Sequence, residues 1–152
     1  MDLIDNIIAT PLENKDYLSH VSCPVTAAHE KSIPVIHITI DFRRNYPEVP
    51  RMNSFWASSR RPRLSLDEIA VSRKLISAFG SSDLEALRGS MGIRNLVMAG
   101  VATNGVVLST VRETMDKDHG ITVLEDLCMD SDEEVHRVLN SKGFPVSGAV
   151  TK

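Results

Sequence analysis

Only two cysteines, Cys23 and Cys128, occur in the 152 residues. That excludes the disulfide framework by which small secreted domains are held together. Both thiols are expected to be reduced and buried as small hydrophobes. The five histidines, His20, His29, His37, His119 and His136, form no close pair with ligand spacing, so no structural metal and no cofactor are expected. No run approaches the roughly 18 apolar residues that cross a bilayer. The N-terminus also lacks a basic region followed by an apolar stretch. A soluble, cytoplasmic protein with no membrane partner is the expectation. A formal net charge of −3 gives no general attraction for nucleic acid, which is excluded as a partner. Internal repeats and low-complexity tracts are lacking too.

Hydrophobic residues make up 42% of the chain, enough for one core, and the length is too small for two ordinary domains. A single domain over 1–152 is expected. Leu18, Val21, Val25 and Ala28 recur at helical spacing after Asn14, so 15–31 reads as an amphipathic helix with a kink or break at Pro24. The apolar, β-branched run 33–40 reads as a strand covered on both faces. Between 42 and 67 no core periodicity survives. Pro47, Pro50 and Pro62 alternate there with Arg43, Arg44, Arg51, Arg60, Arg61 and Arg63, so a long surface loop is predicted.

Order then returns, with strands at 69–72, 95–101 and 121–125 and helices at 82–91 and from Asp132 to about Asn140. The segment 106–111 is β-branched enough to score as a strand. Yet Thr103-Asn104-Gly105 breaks the pattern before it, and Val107, Val111 and Met115 share a helical face. A parallel sheet also needs a crossover there, so a helix is expected. The βαβα order predicts a doubly wound α/β fold, a mostly parallel sheet with helices on both faces.

In such sheets ligands bind outside the carboxyl ends of strands, where helix N-termini present free amides. Residues 101–105 occupy such a place. Asn104 is either a helix cap or a ligand contact, and the two are compatible. His136 is expected to pair locally with Asp132 four residues earlier, and His119 to sit favourably at a helix C-terminus.

The string Gly100-Val101-Ala102-Thr103-Asn104-Gly105-Val106-Val107-Leu108-Ser109-Thr110-Val111-Arg112 resembles the active-site segment of the isochorismatase-like hydrolase family. The likeness continues through Val123-Leu124-Glu125-Asp126, Asp132-Glu133-Glu134-Val135-His136 and Phe144-Pro145. Upstream it takes in Ile33-Pro34-Val35-Ile36-His37, Phe42-Arg43, Tyr46-Pro47 and Ser77-Ala78-Phe79. Met1-Asp2-Leu3-Ile4-Asp5-Asn6-Ile7-Ile8 is similar to the end of that family's first strand, which reads as truncated.

The resemblance implies an isochorismatase-like, Rossmann-like fold, a small-molecule substrate and a homo-oligomer. Many members are cysteine hydrolases that use an aspartate, a lysine and a cysteine. The aligned positions here are Asp2, Arg73 and Val106. Valine has no atom able to attack a carbonyl, so Cys-dependent amidase activity is not expected. Arginine keeps its charge but cannot release a proton near neutral pH. Lys74 enters if the register shifts by one, and Asp5 is a weaker substitute for Asp2. A cis Val101–Ala102 peptide and an oxyanion hole from the amides of Ala102 and Val106 are also implied, with Thr103, Asn104 and Gly105 facing the substrate.

Other members cleave the vinyl ether of isochorismate with the aspartate as proton donor, a mechanism that survives loss of the thiol. The expected function is therefore hydrolysis of a small anionic or cyclic metabolite, with Asp2 as acid and Arg73 as anchor. The alternative is a catalytically silent member, a pseudoenzyme kept for binding or assembly.

Overall fold

The computed structural model describes residues 17–41 and 69–152. The arginine-rich segment 42–67 lies outside the described residues, as do Asp2 and Asp5. Helix α1 (Tyr17–Glu30) leads into β1 (Ile36–Ile40), and β2 (Ile69–Arg73) follows. Then come α2 (Leu84–Ser90), β3 (Asn95–Val101), a π-helical turn (Thr103–Val107) and α3 (Leu108–Asp116). Strand β4 (Gly120–Met129), α4 (Glu133–Val138), a second π-helical stretch (Leu139–Gly143), a 3-10 turn (Phe144–Val146) and β5 (Ala149–Thr151) complete the order.

All described pairings are parallel, with β1 against β2 in one sheet and β3-β4-β5 in another. The mixed, parallel α/β architecture is the predicted one, although the described strands form two sheets rather than one. No described helix is long and apolar enough to cross a membrane.

Helix α1 runs continuously through Pro24, so of the expected kink or break the break does not occur. The ring removes one backbone bond, but the carbonyl that loses it belongs to His20, an exposed residue near the helix start where water can serve it. Val21, Pro24, Val25 and Ala28 form the half-buried side of α1. Cys23 falls opposite that side and is exposed, contrary to the expectation of burial.

The β-branched run after Thr103 is helical, as the crossover demands. Thr110, Val111 and Thr114 are its buried residues, continuing a stripe from Val107. Met115, placed on that face from the sequence, is 50% exposed. The buried threonines are satisfied: Thr114 Oγ1 donates to the Thr110 carbonyl (2.6 Å), and the Ala78 amide donates to Thr110 Oγ1 (2.9 Å). The second bond ties the segment after β2 to α3.

Strand β4 outruns the predicted 121–125. Its partner shifts from Met98↔Val123 to Gly100↔Cys128, so two steps along β3 match five along β4. Glu125 and Asp126 sit in this irregular stretch, and Leu127 and Cys128 then return to the core. The three-residue β5 was not foreseen. Gly148 precedes it because any Cβ there would meet the Ile121 carbonyl oxygen at 2.5 Å.

One core gathers Met98, Val106, Val107, Val111, Ile121, Val123, Cys128 and Phe144 under the carboxyl end of β3. A second joins Ile38, Val71, Ala78, Phe79 and Leu84 against the β1–β2 pair. Leu96 packs against both.

Candidate active site

The site begins where β3 ends. The Val101–Ala102 peptide is cis, as the resemblance implied. The chain then turns through five π-helical residues, a geometry that often marks functional positions. The Val107 amide reaches back to the Ala102 carbonyl (3.4 Å), and the Gly105 amide donates to the same oxygen (3.2 Å). No side chain caps the turn, and Asn104 is exposed. Of its two readings from sequence, the helix cap is not realised.

Two side chains from the carboxyl end of β4 and from α4 hold this turn from behind. Asp130, 7% exposed, accepts the Asn104 amide at 2.7 Å and the Asp132 amide at 3.3 Å. A carboxylate accepting backbone N–H groups makes a short, charge-assisted bond that fixes the turn's path. His136 places its Nδ1 2.9 Å from Thr103 Oγ1. Thr103 is fully buried, and this contact holds its hydroxyl toward α4. The Asn140 amide nitrogen donates to the His136 carbonyl (3.0 Å).

Asp132 caps α4 by accepting the amides of Glu134 and Val135 (2.9 and 3.0 Å). Its carboxylate therefore serves the helix start, and the predicted Asp132–His136 side-chain pair gives way to His136–Thr103. Neither Asp130 nor His136 was assigned to the site from sequence. Asp130 had a signal, since it directly follows β4 at the carboxyl edge where sheet topology places ligands.

Val106 lies in the turn at 3% exposure, packed in the core with Met98, Val107 and Val111. Arg73 closes β2 opposite Ile40, is 2% exposed, and donates from Nη1 to the Leu75 carbonyl. Lys74 donates from Nζ to the Asp41 carbonyl and so bridges the ends of β1 and β2. Ala102 and Gly105 are half-buried beside Val106. The turn thus brings Ala102, Thr103, Asn104, Gly105 and Val106 together, with Arg73 and Lys74 at the end of the other sheet. Asp2 lies outside the described residues. Among those described, no three His, Cys, Asp or Glu side chains gather as a metal site would need.

Cys128 is no substitute nucleophile. Burial pushes its thiol up from 9.0 to about 11, so the unreactive protonated form prevails at neutral pH. Nearby, Tyr17 donates its hydroxyl to the Leu127 carbonyl (2.8 Å), and burial, with the Cys128 charge second, raises its pKa. Both groups ionise less readily folded than unfolded. The Cys128 contribution is full below about pH 9 and is lost as pH rises through about 11, while that of Tyr17 is full below its ordinary value of 10.0 and is lost at higher pH still. Denaturant midpoints taken from about pH 8 to about pH 11 should therefore fall above about pH 9, and Cys128→Ala should flatten that fall; a midpoint indifferent to pH in this window would contradict the burial of both groups.

Comparison with known proteins agrees with this fold. The Isochorismatase domain matches residues 1–151. A ureidoacrylate amidohydrolase, RutB of Acinetobacter baylyi, is 26% identical over 163 aligned positions. The match takes in 87% of this chain, which spans 66% of that relative's length. An isochorismatase family protein from Burkholderia thailandensis superposes with a TM-score of 0.84 at 22% identity, covering 98% of this chain and 86% of that one. A nicotinamidase from Staphylococcus aureus gives a TM-score of 0.76 at 12% identity, over 99% and 94% of the two chains. At such identities these two likenesses speak for the fold alone. With that domain matching residues 1–151, the chain belongs to the isochorismatase family of hydrolases.

Proposed function

We propose that this chain hydrolyses a small anionic or cyclic metabolite without forming a covalent enzyme intermediate. The observation that carries the proposal is Val106, an aliphatic residue at 3% exposure in the turn where the family resemblance places the nucleophile. With no thiol there, the compatible chemistry is acid-catalysed cleavage of a vinyl ether of the isochorismate type. Asp2 donates its proton to the terminal carbon of the enol ether, and the C–C double-bond electrons form the new C–H bond. Water adds to the resulting oxocarbenium ion and gives up a proton to the Asp2 carboxylate, and the hemiketal collapses to a ketone and an alcohol as its hydroxyl proton passes to the leaving oxygen. Arg73, which cannot deprotonate near neutral pH, anchors a substrate carboxylate as a permanent cation. The amides of Ala102 and Val106 donate to the leaving alcohol oxygen as the hemiketal C–O bond breaks, the step at which negative charge develops.

The test combines turnover with intact-mass spectrometry on isochorismate. Product should form while the chain keeps its unmodified mass, including in samples quenched during turnover. A covalent adduct that forms and decays at the turnover rate would overturn the non-covalent route, and no turnover would overturn the hydrolase reading.

One observation favours a second reading, a silent member retained for binding or assembly. Arg73 is 2% exposed and already engages the Leu75 carbonyl. A guanidinium so enclosed serves the fold as well as a ligand. In that reading the turn still binds small carboxylates, but nothing is consumed.

A further inference from the structure

Asn104 and Gly105 form the one Asn-Gly step in the sequence. Asparagine followed by glycine is the pair most open to attack by the next backbone nitrogen on the side-chain amide carbon. Glycine puts no side chain in the way and lets the backbone reach the required conformation. The other asparagines precede isoleucine, lysine, tyrosine, leucine or, at Asn53 and Asn140, serine. Asn104 is exposed, so water reaches its side-chain amide. The fold does not itself demand glycine next to it, since a Cβ at 105 would meet nothing closer than the Ala102 Cβ at 3.9 Å.

Several contacts hold the pair in place while the turn is closed. The Gly105 amide, whose nitrogen would attack, donates its proton to the Ala102 carbonyl at 3.2 Å. The Asn104 amide donates to the buried Asp130 carboxylate at 2.7 Å, a charge-assisted bond. On one side Thr103 is fixed by His136 at 2.9 Å, and on the other Val106 is fixed in the core at 3% exposure. Reorienting the peptide between Asn104 and Gly105 therefore requires the turn to open.

We propose that Asn104-Gly105 is a deamidation site latched by Asp130, and that its conversion disables the turn irreversibly. When the turn opens, the Gly105 nitrogen bonds to the Asn104 Cγ and gives up its proton, the Cγ–Nδ2 bond breaks, and ammonia leaves. The cyclic imide then takes up water at one of its two carbonyl carbons, which leaves aspartate or isoaspartate at 104. Either product places a second carboxylate beside the buried charge of Asp130. Isoaspartate also routes the chain through the former side chain, adding one methylene between the latched nitrogen of residue 104 and Gly105, and so displaces Val106. Water is the only co-reactant. The inference is independent of the hydrolase reading.

The test incubates the full chain at mildly alkaline pH and body temperature and sequences the tryptic peptide 95–112 by mass spectrometry at intervals. In guanidinium chloride Asn104 should convert before any other asparagine. In the folded parent it should convert at least about tenfold more slowly, because only the open fraction reacts. Asp130→Ala should speed the folded reaction about 10- to 100-fold, the equilibrium equivalent of a hydrogen bond to a charged group. Asp130→Asn keeps one oxygen for the Asn104 amide and should fall between, while Gly105→Ala should slow conversion in folded and denatured chains alike. Chain converted in denaturant and then refolded should exchange its Val106 amide about tenfold faster than the parent.

Conversion at 104 no faster than at Asn53 or Asn140 in denaturant would overturn the site. Equal rates in the folded parent and the denatured chain would overturn the latch, as would a parent-like rate in a cooperatively melting Asp130→Ala. Should that variant fail to fold, Asp130→Asn and the parent's folded-to-denatured ratio decide the same point. Unchanged Val106 exchange after full conversion would show that the turn survives and would overturn its disabling.

Discussion

Replacing Asp2 by asparagine is expected to reduce kcat on isochorismate by about 10²- to 10⁴-fold, the range that a positioned acid or base contributes. The amide is close in size to the carboxyl but has no acidic proton to give to carbon. KM should move little, because the substrate's carboxylate is assigned to Arg73, which the substitution leaves in place. The split between kcat and KM is therefore as informative as the loss. A thermal melt of the variant, compared with the parent, separates a missing proton donor from a damaged fold. Full turnover by Asp2→Asn would remove Asp2 from the mechanism, and Asp5→Asn would then be the next variant to assay.

The largest expected loss of stability is at Phe144. It is 1% exposed and packs in the core that contains Val106, Val107 and Val111, beneath the turn. Truncation to alanine removes the ring and leaves a void that close-packed neighbours fill only in part. The expected cost is about 3 to 5 kcal/mol, a large share of the roughly 5 to 15 kcal/mol that holds a domain folded. Val146, two residues on, is 76% exposed, and Val146→Ala should stay within about 0.5 kcal/mol. Urea unfolding of the two variants beside the parent checks both figures. A Phe144→Ala loss below about 1 kcal/mol would mean that the second π-helical stretch and the 3-10 turn do not press Phe144 onto the core.

How far the fold was legible can be traced to particular residues. Strand β3 was read to its ends because Asn95 and the Gly100-Val101-Ala102-Thr103 sequence bracket an apolar run. Helix α3 was legible only from context, since valines and threonines favour strands locally and the crossover between parallel β3 and β4 overrules them. Helix α4 announced itself through Asp132 and the acids after it, and Asp132 does cap it. The far end of β4 was hidden because Glu125 and Asp126 look like a strand's end, whereas the strand arches there and resumes. Three-residue β5 is too short for any periodicity.

Side-chain placement was harder to read than the elements. Met115 and Val111 are both apolar, yet α3 turns Val111 and Thr114 to the core and leaves Met115 exposed. His136 was assigned to Asp132 by local spacing, but the contact that matters spans 33 residues, to Thr103. Asp130 likewise holds Asn104 across 26 residues. Such bonds come from the sheet's closure, which brings the ends of β3 and β4 side by side. In sequence neither partner marks the other.

Central to the proposed function is the reading that the turn after β3 is the family's active-site turn, with Val106 at the position of its nucleophile. The most direct test is the double variant Val106→Cys with Arg73→Lys, incubated with small primary amides including nicotinamide and monitored by ammonia release and intact mass. Hydrolysis with a transient acyl adduct on the introduced thiol, absent from the parent chain, is the predicted result. A correctly folded double variant that captures none of these amides would contradict it, and the turn would then be a structural remnant.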